Sequence, residues 1–152
     1  MNSGIYMELF DKMIIILNRR LRGMIQAGLD PALSQPHLFF LRYLRSEGRC
    51  TVTDIANHMG ITLSAITSLS NKLCDLNLAS RVRSDDDRRI VYLEITGKGK
   101  DTLRVADDNV RKLFEKYFSS LAEEEVFTFF SVIQKISNQI INEEKQNKKM
   151  ED

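Results

Sequence analysis

Tryptophan is absent from this 152-residue chain, and cysteine, histidine and proline occur only twice each. Each shortage excludes something. With Cys50 and Cys74 alone there is no disulfide framework to stand in for a core, and a reducing compartment disfavours pairing them. No metal site is expected, because His37 has no ligand partner at helical spacing and the Cys50-x7-His58 pair is not a zinc spacing. Long apolar runs are missing as well. Nothing approaches the roughly 18 residues of a membrane span, and the N-terminus lacks the charged lead and small-residue cleavage site of a signal peptide. The expectation is a cytoplasmic protein with no membrane partner. The chain also has no Gly-rich phosphate loop, no GxSxG, no HExxH and no Cys-His nucleophile pair. An enzyme is therefore not expected, and neither catalytic residues nor cofactors are assigned.

What the chain does have is enough apolar residue, 43%, to build a core, and a net charge of +1 that does not by itself announce a nucleic-acid binder. Any affinity for DNA must come from where charge is placed. Between Ile61 and Ile90 the basic residues Lys72, Arg81, Arg83, Arg88 and Arg89 face the acids Asp75, Asp85, Asp86 and Asp87. Phosphate binding there would also draw on helix N-termini and backbone amides.

The stretch from Thr51 to Gly99 organises the rest. Thr53 is a candidate N-cap for a short helix beginning at Asp54. Ile55, Ala56 and Met59 share one face of it, Gly60 supplies the positive φ that ends it, and Ile61 is expected to pack back on the core. Thr62 then caps a second helix. Ile66, Leu69, Leu73 and Leu76 form its buried stripe, while Ser64, Thr67, Ser68, Asn71 and Lys72 form a polar face whose small hydroxyl and amide groups suit a major groove. A solvated face of an ordinary helix has the same composition.

After that helix, Arg81, Val82 and Arg83 alternate as a strand does. Ser84 to Arg89 is polar enough to turn, and Ile90 to Ile95 returns as a second strand. The turn carries Asp85, Asp86, Asp87, Arg88 and Arg89. An aspartate beside an arginine holds a guanidinium in one direction, and a pre-aimed arginine suits a narrow, electronegative minor groove. A solvated charged turn is the plainer alternative.

These features, with Ser34-Gln35 opening a helix through Leu38 and Leu41, Thr53-Asp54-Ile55-Ala56, Met59-Gly60, Ile66-Thr67, Leu73, Leu78, Arg81, Asp87-Arg88-Arg89 and LEITGKG from Leu93 to Gly99, resemble the MarR family of bacterial transcription regulators. The likeness runs from about Ser34 to Leu103. It departs at Asn77, where family members commonly have Gly; Asn also tolerates the left-handed conformation. The resemblance implies a mainly α fold with a small β-hairpin wing, and a homodimer on a pseudo-palindromic double-stranded DNA operator. It also implies a repressor relieved by a small ligand or an oxidant. The DNA contacts would come from Thr62, Ser64, Ala65, Thr67, Ser68, Asn71, Lys72, Arg81, Arg83, Asp87, Arg88 and Arg89, with Asp87 orienting one wing arginine. A winged helix that binds protein rather than DNA is the competing reading, and weak net basicity is its argument.

The flanking segments are helical and unusually apolar. From Ile5 to about Ala27, Leu9, Phe10, Met13, Ile14, Ile16, Leu17, Leu21, Met24 and Ile25 give a stripe too broad for one small domain, with Arg19, Arg20 and Arg22 on its other side. Gly28 closes that helix. Ser34 caps the next, with Pro36 in its first turn; Leu38, Phe39, Leu41, Tyr43 and Leu44 make it mostly core, and Gly48 ends it. Thr96 caps a helix from Gly97 to about Tyr117, and a last helix runs from Leu121 to about Glu143 with Glu123, Glu124 and Glu125 in its first turn. The expected domains are a pairing helix at 1–33, a winged helix-turn-helix lobe at 34–99, pairing helices at 100–146 and a frayed tail at 147–152. Pairing would use Ile5, Leu9, Phe10, Phe130, Ile133, Ile136 and Ile140.

In the family resemblance a ligand cleft lies where pairing helices meet the DNA-binding lobe. Here its lining would be Met13, Leu17, Leu21, Phe39, Leu113 and Tyr117, suited to a small apolar or aromatic effector, although ordinary core has the same character. Redox sensing is the alternative signal. Peroxide-sensing relatives carry a reactive cysteine in the first helix, which holds none here. Cys50 precedes the helix-turn-helix and Cys74 sits at the edge of a buried stripe beside Asp75, whose charge disfavours a thiolate.

Overall fold

The computed structural model describes residues 3–151, without the side chains of residues 3, 5, 144, 145 and 147–151. The order is α1 (Ser3–Ile25), α2 (Gln35–Glu47), α3 (Val52–Met59), α4 (Leu63–Asp75), β1 (Ala79–Arg83), β2 (Val91–Ile95), α5 (Gly97–Phe118) and α6 (Glu123–Glu151). This is a mainly α winged helix-turn-helix with one hairpin. The chain divides after Leu113 into two compact units. The side chain of Ile5, expected at a pairing surface, lies outside the described residues.

The core of the first unit is made where four helices and a strand converge. Leu38, Phe40, Leu41 and Leu44 of α2, Ile55 of α3, Ile66 and Leu73 of α4, Leu93 of β2 and Leu103 of α5 are all fully buried. The aromatic choice on α2 corrects the expectation. Phe40, one turn from Leu44, takes the core position, whereas Phe39 is 47% exposed; the helix phase that buries Leu41 and Leu44 leaves no room for both neighbours. Ser70 is a second departure, since it lies fully buried within the α4 stripe. Its hydroxyl donates to Thr67 O at 2.9 Å, which satisfies the one polar group on that face.

Helix ends follow from capping chemistry. α3 starts earlier than its sequence suggests, because the cap is Thr51 and not Thr53. Asp54 N donates to Thr51 Oγ1 at 3.2 Å and Thr51 N donates to the Asp54 carboxylate at 2.9 Å, a reciprocal box. Thr53 has Ala56 three residues on and no such partner. The Thr51 hydroxyl donates to the Asp54 carboxylate at 2.7 Å, and this bond, with that from Thr51 N, holds the Asp54 carboxyl below the usual carboxylate range. Gly60 ends α3 with φ 66° as expected, but Ile61 stays more than a third exposed at 37% instead of packing fully on the core. On α2 the partner of the Ser34 cap is a histidine: Ser34 N donates to His37 Nδ1 at 3.1 Å. His37 is buried there.

β1 and β2 pair antiparallel, with Ala79 opposite Ile95 and Arg83 opposite Val91. The returning strand thus begins at Val91 rather than Ile90. Cys50 joins the sheet, exchanging backbone hydrogen bonds with Leu93 at 3.2 and 2.8 Å, so the segment before α3 is a bridge and not a free loop. Two residues hold α4, the hairpin and α5 together. Asn77 takes φ 58° and fills the left-handed position after α4. Gly99 packs so closely that a Cβ there would lie 2.1 Å from Leu78 O, which accounts for the glycine of the Thr-x-x-Gly sequence. Thr96 caps this start of α5, accepting from Gly99 N at 3.0 Å and donating to Asn77 O at 2.8 Å.

α5 also ties back to the end of α1, where Asn109 Nδ2 donates to Ala27 O at 2.7 Å and Ile25 O at 3.1 Å. In the second unit Phe114 and Phe118 stack at 4.6 Å, and Phe129 and Phe130 meet edge to face at 5.3 Å. The last helix begins at Glu123, where Ala122 N donates to the Glu125 carboxylate at 2.8 Å. It runs through Glu151 and not to about Glu143, so the tail expected to fray from 147 continues as helix.

Candidate nucleic-acid interface

α4 is the helix whose outward face the sequence singles out. Thr62 caps it, accepting from Ala65 N at 3.3 Å, with Ser64 Oγ 3.1 Å from Thr62 Oγ1. Thr62, Ser64, Thr67, Ser68 and Asn71 are exposed along one side, as expected. Ala65 and Lys72 are half-buried and flank that side. Lys72 lies near enough to His37 that, after burial itself, its charge lowers the His37 pKa. The Thr67 hydroxyl does not project as a free donor, because it donates to Leu63 O at 2.7 Å within the helix.

The wing stands beside this face. Arg81, Arg83, Arg88 and Arg89 are all exposed. Arg81 Nη2 donates to Asn71 Oδ1, which joins the first strand of the wing to the middle of α4. The two elements form one surface on that account. Asp87 has a different role from the one its neighbours suggest. Its carboxylate accepts from Arg89 N at 2.9 Å, its carbonyl accepts from Ile90 N at 2.9 Å, and Ser84 Oγ accepts from Asp87 N at 3.3 Å. Among the described residues it pairs with no guanidinium. A short acceptor at this position closes an Asx turn on the backbone, so Asp87 shapes the tip that carries Arg88 and Arg89 instead of aiming either side chain.

Residues 33–91 match the MarR family model. Over 129 residues the chain is 30% identical to the HTH-type transcriptional repressor MdtR of Bacillus subtilis (strain 168), covering 85% of this chain and 81% of that protein. The chain belongs to the MarR family. It shares the family's standing as a helix-turn-helix transcription regulator. Two solved structures share its fold. FabT of Streptococcus pneumoniae, in complex with DNA, is 21% identical with a TM-score of 0.75, covering 90% of this chain and 98% of that one. The PcaV transcriptional regulator of Streptomyces coelicolor, in complex with its natural ligand, is 19% identical with a TM-score of 0.66, covering 83% and 89%.

The other candidate residues of this MarR-family chain differ in exposure. Within the first unit Met13, Leu17 and Phe39 are exposed, Leu21 is half-buried and Leu113 is buried; Tyr117, in the second unit, is exposed. Phe39 faces a different neighbour than expected: its ring stacks on His58 at 5.8 Å, and Tyr43 lies 4.2 Å from the same imidazole. That histidine cluster was not legible in the sequence, because His58 is set by the phase of α3 against α2. Leu9, Phe10, Phe130, Ile133, Ile136 and Ile140 are all exposed. No helix among the described residues is long and apolar enough to cross a membrane.

The surroundings of both thiols disfavour the thiolate. Burial pushes the Cys50 thiol up, with Asp54 and Glu47 adding to it. Burial also raises Cys74; Arg81 pulls the other way and Asp75 reinforces the rise. A raised thiol pKa means little thiolate at neutral pH, and the thiolate is the reactive form.

Proposed function

We propose that this MarR-family regulator is a homodimer that binds a pseudo-palindromic operator as a repressor, with α4 in the major groove and Arg88 and Arg89 at the minor groove. The observation that carries this reading is the Arg81–Asn71 hydrogen bond, which makes one surface from the polar face of α4 and the basic wing. That pairing of a groove-sized helix with basic strands suits duplex DNA. MdtR being a repressor, and FabT having been solved with DNA, support it.

The dimer reading rests on apolar surface. On α1, Tyr6, Phe10 and Ile16 are exposed, and on α6 Phe127, Phe130, Ile133, Ile136 and Ile140 are exposed. So much apolar surface is unusual for a soluble monomer, and a second copy would cover it in a two-fold arrangement. The domain division of the sequence reading follows the same logic, with residues 1–33 and 100–146 serving pairing and 34–99 serving DNA. A small apolar or aromatic molecule is the proposed effector. PcaV, solved with a natural ligand, supports ligand control in this fold, and Met13, Leu17 and Phe39 are candidate contacts.

Sedimentation velocity tests the assembly. The wild type is expected as a dimer at micromolar concentration, and Ile136→Asp, which buries a charge in an apolar seam, is expected to dissociate or unfold it. A wild type that sediments as a compact monomer refutes the reading.

A further inference from the structure

Leu63 is the first residue of α4, and it is out of place by ordinary core logic. It is 53% exposed and belongs to neither the buried core nor the apolar residues packed against it. Thr62 and Ser64 on either side of it are exposed too. One turn further on, Thr67 has turned its hydroxyl back to Leu63 O at 2.7 Å. A threonine whose proton is held by the preceding turn offers its methyl group outward. Residues four apart lie about 40° apart around a helix and about 6 Å along it. Leu63 and Thr67 therefore form an apolar ridge on a face whose other members, Ser64, Ser68 and Asn71, are polar.

In the major groove only one base carries an apolar group, the C5-methyl of thymine. We infer that Leu63 and the Thr67 methyl group are specificity determinants that read thymine methyls in each half-site. This rests on the proposed DNA-binding function and deepens it. Ser64, Ser68 and Asn71 are then left for phosphates and polar base edges. The ridge length corresponds to about two base-pair steps at about 3.4 Å each, so the thymines read by the two residues lie within about that distance of one another.

The test starts from duplexes enriched by the wild-type protein from a randomised library. Each thymine of the enriched half-site is replaced in turn by deoxyuridine, which removes the methyl group alone, and affinity is measured for wild type, Leu63→Ala and Thr67→Ser. Serine at 67 keeps the hydroxyl and loses only the methyl. For wild type, one or two thymine positions per half-site are expected to lose about four-fold in affinity on demethylation, the equivalent of about 0.8 kcal/mol per methyl group. Leu63→Ala is expected to abolish the sensitivity at one of these positions and Thr67→Ser at the other, with circular dichroism and salt dependence unchanged. Sequence-specific binding that is indifferent to deoxyuridine at every position, or sensitivity that persists in both variants, overturns the inference and leaves the DNA-binding reading intact. Failure to enrich any sequence overturns both.

Discussion

Arg81 Nη2 donates to Asn71 Oδ1, so the wing and α4 are fastened to each other through one side-chain hydrogen bond. The bond takes up one of the two lone pairs of the amide oxygen. An asparagine reads adenine by accepting and donating at once, and Arg81 competes for the accepting half of that pairing.

The two residues should therefore behave as a pair. Asn71→Ala and Arg81→Ala are each expected to weaken binding to an enriched duplex by about 1–3 kcal/mol, and the double variant by less than the sum, with a coupling of about 0.5–3 kcal/mol. Strict additivity in the double-mutant cycle counts against the link. A base preference that changes at one position in Asn71→Ala alone would return Asn71 to direct reading of an adenine edge.

Gly99 permits the second test. A Cβ there would stand 2.1 Å from Leu78 O and 2.8 Å from Ile95 Cγ1, and the Leu78 carbonyl is itself held by Thr96 N at 3.1 Å. Gly99→Ala is expected to cost at least about 1–3 kcal/mol of stability through overpacking, which lowers the melting temperature by several degrees. Gly97→Ala, with nothing within 4 Å of the new methyl group, is expected to be neutral or slightly stabilising. Equal melting temperatures for the two variants contradict the close packing of α5 on the end of α4.

His37 gives a pH dependence with a defined sign. Burial, then the charge of Lys72, lowers its pKa below the ordinary 6.5, and its Nδ1 accepts from Ser34 N only while unprotonated. The unfolded chain therefore takes up the proton first as pH falls. The stability contributed by neutral His37 is full above about pH 6.5 and is lost as pH drops through the folded-state pKa. His37→Gln keeps a capping acceptor at the same position and cannot titrate there. Its melting temperature is expected to fall less than that of wild type between pH 7.5 and 5. Parallel curves refute the assignment.

Much of this architecture was legible in the residues, and the failures share a cause. Gly60, Thr62, Gly48, Asn77 and Thr96 mark their helix ends because capping and positive φ are local chemistry. The cap of α3 was misplaced because Thr51 and Thr53 are both eligible, and only the reciprocal bond to Asp54 separates them. Phe39 and Phe40 are adjacent, so composition could not choose between them; the phase of α2 against α4 and β2 did. Asp87 was read as an ion-pair partner from its neighbours in sequence, whereas the turn geometry directs its carboxylate to the backbone. Leu63 carries no local signal of its exposure, since an apolar first residue of a helix has the same composition as a buried stripe. Long-range placement separates these cases from the caps.

The wing carries the most direct test of the whole reading. Arg88 and Arg89 are exposed on a turn that Asp87 and Ser84 hold in shape, on a protein whose net charge is only +1. Nonspecific attraction is correspondingly weak, and strong binding must come from placed contacts. The decisive measurement is affinity for an enriched palindromic duplex across a salt series, for wild type and for the Arg88→Ala, Arg89→Ala double variant. The wild type is expected to lose affinity steeply as salt rises, and the double variant to bind more weakly with a slope shallower by about 1 for each phosphate contact removed. A wild-type affinity that does not change with salt, or identical slopes for the two proteins, would contradict the placement of this surface on DNA.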